Sequence, residues 1–371
     1  MSAPDRSGVR VVLAGGGTAG HVIPLLATAD ALRRRVPDAD LRVLGTSEGL
    51  EARLVPERGY PLVVVPKVPF PRRPDARALR FPGALRRAVG AAAGAIREID
   101  AQVVVGFGGY VATPAYLAAR RAGVPIVIHE QNARAGLANR LGARFTERVA
   151  TTFASTELPH ATRVGLPLRE EIRTLDRAAL AEEGRVHFGL DEGRPTLLVF
   201  GGSLGAQRIN EAVAAAGADL LAAGVQVLHL TGAGKDVPAP DQDPRTGACY
   251  RALPYTDRMD LAYAVADLAL CRAGAGTVCE LAAVGLPAVY VPLPIGNGEQ
   301  RLNAREVVEA GGGLLVEDAQ VDPGWVRGVV LPLLQDGPRL EVMATAAAEH
   351  GDRDAADRLV DLVLDAAGAD R

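Results

Sequence analysis

Val11-Val12-Leu13-Ala14-Gly15-Gly16-Gly17-Thr18-Ala19-Gly20-His21 reads as an apolar strand running into a glycine turn, and Val22 to Leu32 behind it carries a helical period. The plan recurs at Leu197-Leu198-Val199-Phe200-Gly201-Gly202-Ser203-Leu204-Gly205, ahead of Ala206 to Leu221. Glycines at a strand-to-helix turn let backbone N–H groups approach a ligand closely, and the helix N-terminus behind them favours negative charge. Two such turns in one chain point to two nucleotide-type α/β domains facing a cleft.

Working outward, short runs of Val, Ile and Leu alternate with helical patterns, the signature of parallel sheets covered on both faces. Strands are expected at Val11 to Ala14, Leu41 to Leu44, Leu62 to Val65, Val103 to Val105, Ile126 to His129 and Val149 to Ala150. A second set is expected at Leu197 to Phe200, Val225 to Leu230, Leu268 to Cys271, Ala288 to Val291 and Gly313 to Val316. Gly and Pro punctuate Thr162-Arg163-Val164-Gly165-Leu166-Pro167-Leu168-Arg169, which reads as a hinge. The expected division is residues 1–168, residues 169–343, and a helical segment over 344–371.

The 371 residues suit two domains of the usual ~100–200 residues each. No uncharged run approaches the ~20 residues of a spanning helix. Met1 to Arg10 carries Asp5 and no apolar core, unlike a signal peptide, so a cytoplasmic protein is expected. A net charge of −3 argues against a general nucleic-acid binder. Cys249, Cys271 and Cys279 have neither disulfide nor zinc spacing and read as small buried side chains.

The chemistry-bearing residues cluster where strands end. Gly15-Gly16-Gly17-Thr18-Ala19-Gly20 fits the dinucleotide spacing, which alone would suggest a nicotinamide-dependent oxidoreductase; the ribose acid that such a site needs is only loosely matched by Glu48. His21 follows at once, placed to accept a proton from a substrate hydroxyl or merely to pack. Ile128-His129-Glu130-Gln131-Asn132 follows a strand. Adjacent residues of an extended segment point to opposite sides, so its His-Glu pair favours substrate recognition over metal binding. Arg272 to Glu280 again follows a strand and starts a helix; Glu280 is either a ribose acceptor or a helix-dipole partner. Pro292 to Asn303 adds amide, carboxylate and guanidinium groups to the same edge.

In that order, the Gly-Gly-Thr-x-Gly-His loop, Gly108-Gly109-Tyr110, His129-Glu130-Gln131-Asn132, Gly201-Gly202-Ser203-x-Gly205-Ala206 and the Arg272 to Glu280 segment resemble the MurG family of bacterial N-acetylglucosaminyltransferases that make lipid II. The resemblance implies a GT-B fold, with UDP-N-acetylglucosamine on the C-terminal domain, the lipid-linked muramoyl-pentapeptide acceptor on the N-terminal one, and a last helix returning to the first domain. It implies metal-independent inverting transfer without a cofactor; Asp38-Ala39-Asp40 has a metal-motif spacing but precedes a strand near the surface. By motif, His21 is the candidate base, and Thr18, Ala19, Gly20 and Asn132 are candidate sugar or acceptor contacts. Ser203 with Gly201, Gly202 and Gly205 would hold the diphosphate, Glu280 the ribose, and Gln300 and Arg169 other parts of the donor. Leu204, Ala19 and Glu299 depart from the family pattern, and Leu204 and Glu299, which could alter sugar contacts, leave open a related transferase of a specialised envelope or natural-product pathway. A UDP-N-acetylglucosamine 2-epimerase would share the twin-domain architecture.

Lys67 to Arg87 has one acid, Asp75, while Phe70, Phe81 and Leu85 interleave with Arg72, Arg73, Arg80 and Arg86. A lipid-linked acceptor makes this a candidate contact with the anionic cytoplasmic face of the membrane, with the protein held there peripherally.

Overall fold

The computed structural model describes residues 8–68, 76–202 and 206–369, with the backbone alone over 76–80. The strands are β1 (Arg10–Gly15), β2 (Asp40–Gly45), β3 (Leu62–Val64), β4 (Val103–Gly108), β5 (Ile126–Glu130), β6 (Val149–Thr151), β7 (Ala161–Arg163), β8 (Thr196–Phe200), β9 (Gln226–Leu230), β10 (Tyr250–Leu253), β11 (Leu268–Cys271), β12 (Ala288–Tyr290) and β13 (Gly313–Leu315). They form one sheet in the order β3-β2-β1-β4-β5-β6-β7 and a second in the order β10-β9-β8-β11-β12-β13. Every pairing is parallel. Apart from Arg10 at the start of β1, helices on both faces bury the central strands, which is why β1, β4, β8 and β11 read as apolar runs without alternation.

Each sheet belongs to one compact unit: Met1–Arg169 with Arg353–Arg371, and Glu170–Asp352. In both, strand order reverses beside the first strand, between β1 and β4 and between β8 and β11. Helices leaving the carboxyl ends of such a pair go to opposite faces, and ligands bind in the crevice left between them. The register carries the motifs there: Gly15 pairs with Gly108, and Phe200 with Cys271. Asp40 opens β2 at the other edge of its sheet, so Asp38-Ala39-Asp40 stands away from the glycine turn.

Three readings are corrected. The hinge segment begins inside the first sheet, because Ala161–Arg163 adds an exposed edge strand. Tyr250–Leu253 is a strand that the sequence reading passed over, a four-residue edge without a continuous apolar run. The boundary expected at 343 falls within helix Gly337–Glu349, whose Leu340 and Met343 pack into the second unit's core. Only the last helix, Ala355–Ala367, lies on the first unit. Its Leu359, Val360, Val363 and Leu364 join the core under helix Ala19–Arg35. Arg34 and Arg35 meet Asp357 and Asp361 at 2.7 and 2.9 Å along the rim.

Leu359→Ala should therefore destabilise the first unit by about 2–5 kcal/mol, the usual cost of emptying a buried leucine site. Denaturant unfolding with separate probes for the two units checks it; an unshifted midpoint would contradict this packing.

Candidate active site

In the first unit, the turn after β1 leads into helix Ala19–Arg35, with Thr18 as its extended N-cap. The Thr18 hydroxyl does not cap a backbone amide; it lies 2.9 Å from Nδ1 of His21. Thr18 and Gly20 are exposed, and Ala19 and His21 are half-buried. The turn after β4 comes close on the other side. Gly108 and Gly109 have φ of +92° and +77°, and a Cβ on Gly109 would stand 2.4 Å from the Gly16 carbonyl oxygen. A Cβ on Gly108 would stand 3.2 Å from both Cδ2 and Nε2 of His21, so glycine there keeps the ring edge uncovered. Burial lowers the His21 pKa, opposed by the Gly16 backbone and by the charge of Glu51. The ring is thus held towards its neutral, proton-accepting form.

Glu51 was missed in the sequence, where Glu48 was considered instead. Glu48 is exposed, whereas Glu51 is fully buried. Its carboxylate accepts from the amides of Gly17 and Thr46, each at 3.0 Å, and from the Thr46 hydroxyl at 2.7 Å. Burial opposes its ionisation, but these donors outweigh burial and lower its pKa. An amide that would face a pyrophosphate in a dinucleotide enzyme is already paired with an anion here. The first glycine loop is therefore a poor diphosphate cradle.

The segment after β5 divides its labour. His129 is fully buried; its Nε2 donates to the Gly165 carbonyl at 2.8 Å, and its Nδ1 accepts from Gln131 at 3.1 Å. Both ring nitrogens are engaged, which removes the His-Glu metal pair. Glu130 accepts from the amides of Asn132 and Gly136 and from the Asn139 side chain, at 3.0, 2.9 and 2.9 Å. Tyr116 in turn donates to Asn139 at 2.7 Å. Burial raises the Glu130 pKa against these donors, and its role is to shape the loop that presents half-buried Asn132.

In the second unit, the turn after β8 carries Gly201 and Gly202, the latter with φ +80° and no atom of the described residues within 4 Å of where a Cβ would stand. Ser203, Leu204 and Gly205 lie outside the described residues. The neighbouring turn, after β11, starts helix Ala275–Ala283, on which Glu280 is buried and accepts a 2.8 Å hydrogen bond from the Tyr263 hydroxyl. Gln300 joins the next turn to this one: its Oε1 accepts from the amides of Ala273 and Leu293 at 3.2 and 2.9 Å. Asp318, also missed, draws together Arg272 at 2.6 Å and Arg208 at 3.0 Å. Tyr263, Asn139 and Asp318 act as partners of motif residues from distant segments, and no local spacing marks them. Glu299 is the first residue of helix Glu299–Glu309, its amide donating to the Asn297 side chain at 3.2 Å. Arg169 ends the first of the two segments that make up the first unit and is half-buried.

Phe70, Arg72 and Arg73 lie outside the described residues, as does the Arg80 side chain. Phe81 and Leu85, expected as membrane contacts, are half-buried and pack against the first unit's core; Arg86 is exposed.

Residues 11–151 match the glycosyltransferase family 28 N-terminal domain, and residues 196–359 match the glycosyltransferase family 28 C-terminal domain. The chain is 57% identical over 361 residues to the UDP-N-acetylglucosamine–N-acetylmuramyl-(pentapeptide) pyrophosphoryl-undecaprenol N-acetylglucosamine transferase of Streptomyces avermitilis, covering 97% of this chain and 99% of that one. It is 55% identical to the protein of the same name from Mycolicibacterium smegmatis, covering 98% and 96%. It belongs to the MurG family. The Acinetobacter baumannii MurG crystal structure matches with a TM-score of 0.77 at 30% identity, covering 96% of this chain and 99% of that one. The two units are accordingly the Rossmann-like domains of a GT-B fold. The Neisseria meningitidis UDP-GlcNAc 2-epimerase, at 12% identity and a TM-score of 0.66 with 96% and 100% covered, shares the fold alone with this family member.

Two buried histidines set an acid limit. Burial lowers the pKa of both His129 and His229 to about 4, against about 6.5 in an unfolded chain. Between those values the unfolded chain binds a proton at each site that the folded chain does not. Stability present above about pH 6.5 is therefore lost progressively towards pH 4. Calorimetric melts should show Tm falling from pH 7 to pH 5, with a shallower fall in His229→Asn; equal Tm at the two pH values would contradict it.

Proposed function

We propose that this protein transfers N-acetylglucosamine from UDP-N-acetylglucosamine to the C4 hydroxyl of the muramoyl sugar of undecaprenyl-diphospho-muramoylpentapeptide, forming lipid II. The observation that carries this reading is the 57% identity across 97% of the chain to a relative named for that transfer. Transfer is inverting: the acceptor oxygen attacks the anomeric carbon as the bond to the UDP oxygen breaks. His21 takes the hydroxyl proton, and the helix turn that bears it carries Thr18, Ala19 and Gly20 towards the acceptor with Asn132 from the next motif. Gly201, Gly202, Ser203 and Gly205 hold the diphosphate with backbone donors at a helix N-terminus, which stabilise the leaving charge without a metal. Glu280 accepts the ribose hydroxyls, with Tyr263 fixing its carboxylate. Gln300 shapes the sugar-facing turn, and Arg169 contacts the donor. Leu204 and Glu299 bear on the donor sugar.

His21→Ala should lower turnover by roughly 10²–10⁴-fold and leave UDP binding intact. Glu280→Ala should weaken UDP binding by roughly 1.5–3 kcal/mol. Turnover by mass spectrometry of the disaccharide product, together with UDP calorimetry, separates the two. Near wild-type turnover in folded His21→Ala removes the base, and unchanged UDP affinity in Glu280→Ala removes the ribose contact.

The acceptor's polyprenyl tail stays in the bilayer, so the enzyme works at the cytoplasmic membrane face as a peripheral protein. Among the described residues no helix is long and apolar enough to cross a membrane. With Phe81 and Leu85 turned to the core, attraction falls to Arg72, Arg73, Arg80 and Arg86, each adding about 1 kcal/mol near anionic lipid. Replacing these four with Glu should reduce co-sedimentation with anionic vesicles and spare activity on a water-soluble acceptor. Equal vesicle binding by variant and wild type would refute the patch.

A further inference from the structure

Three glycines, one in the turn after β1, one ending β2 and one in the turn that follows β2, converge on one carboxylate. A Cβ on Gly16 would stand 2.5 Å from Oε1 of Glu51, one on Gly49 2.1 Å from its Oε2, and one on Gly45 2.5 Å from its Cγ. None of the three has the positive φ that would itself call for glycine. Their common feature is that Glu51 fills the space a side chain would take. The carboxylate is closed over on all these sides and bonded to Gly17 and Thr46.

A tie between two loops does not require a charge. A neutral amide or hydroxyl could accept from the Gly17 N–H, and burying an ionised carboxylate costs several kcal/mol unless it is compensated. What the charge adds lies one step further along the loop, at His21. The groups beside that imidazole are the N-cap Thr18 hydroxyl, the Gly16 backbone and the Gly108 backbone from the β4 turn, and the charge of Glu51, at the start of helix Glu51–Glu57 and bonded to the Gly17 amide of the same loop, acts on it through space. The helix N-terminus that His21 occupies repels a cation.

We infer that Glu51 is a positioning residue for transfer: it fixes the glycine loop through the Gly17 amide and supplies the negative charge that stabilises the His21 imidazolium formed as the acceptor hydroxyl loses its proton. In that step the hydroxyl O–H breaks and its proton passes to the imidazole. The acceptor oxygen bonds to the anomeric carbon, and the pair from the breaking carbon–oxygen bond leaves on UDP. Glu51 itself gains no proton and touches no substrate. The inference rests on the reading of His21 as the base.

The test is the pH profile of kcat/KM. Glu51 favours protonated His21, so removing its charge should move the acid limb to lower pH. In Glu51→Gln the limb should shift down and the plateau rate fall roughly 10- to 100-fold, the scale of a misplaced catalytic group. Glu51→Asp keeps the charge but falls short of the amides, and Gly49→Ala displaces the carboxylate without removing it. Both should lose rate with less movement of the limb. Thermal melts identify folded variants; should Glu51→Gln not fold, an unchanged rate in Gly49→Ala overturns the inference. A folded Glu51→Gln with kcat within twofold of wild type also overturns it, as does lost rate with an unmoved limb, which would leave a structural tie only. Near wild-type turnover in His21→Ala removes the base reading and this inference together; an inactive His21→Ala beside an unchanged Glu51→Gln removes this inference alone.

Discussion

A parallel strand pair whose following helices depart to opposite faces leaves its own carboxyl edge uncovered, and this protein builds that arrangement twice. Everything chemical hangs on it. At β1 and β4 the crevice is walled by Gly15 to Gly17 and by Gly108 and Gly109; at β8 and β11 it is walled by Gly201 and Gly202 and by the Arg272 to Gly274 turn. The strands beyond, β5 and β12, add a third turn to each edge, presenting Asn132 in one unit and leading to Gln300 in the other.

The two crevices share a plan and differ in charge. In the first, the space beside Gly16 is filled by a carboxylate that claims a loop amide; in the second, no described residue fills the space beside Gly202. An anionic ligand is disfavoured at the first. On the proposed reading the same strand–glycine–helix plan serves proton transfer at one edge and diphosphate binding at the other, and the Glu51 carboxylate is one difference between them.

The fold was legible because parallel strands buried on both faces must be apolar throughout, and the runs at Val11 to Ala14 and Leu197 to Phe200 announce themselves. Short edge strands do not: Ala161–Arg163 is exposed and mixed, and its pairing is decided by β6 rather than by its own composition. Motif residues in the described turns were placed at the right strand ends by their spacing alone. Their partners were not, because Glu51, Asn139, Tyr263 and Asp318 reach the motifs through the fold. The Glu48 reading shows the limit: counting from the glycines finds an acid nearby, but only burial distinguishes it from the one three residues on. Phe81 and Leu85 show the same limit, since a mixed basic-apolar segment does not reveal which of its side chains also pack against the core.

His129 shows how a motif residue can matter without touching chemistry. Its ring holds the Gly165 carbonyl, and Arg358 of the last helix holds the Val164 carbonyl at 2.9 Å. Two successive carbonyls just beyond β7 are thereby fixed from β5 and from the chain's far end, shortly before the chain leaves the first unit after Arg169. Gly165, at φ +84°, turns the backbone so that these neighbouring groups can be bonded from different elements. Beside it, Glu130 and Asn139 fix the turn that carries Asn132. Within this four-residue motif, His129 and Glu130 fix the backbone, and Asn132 is left as the residue proposed for substrate recognition.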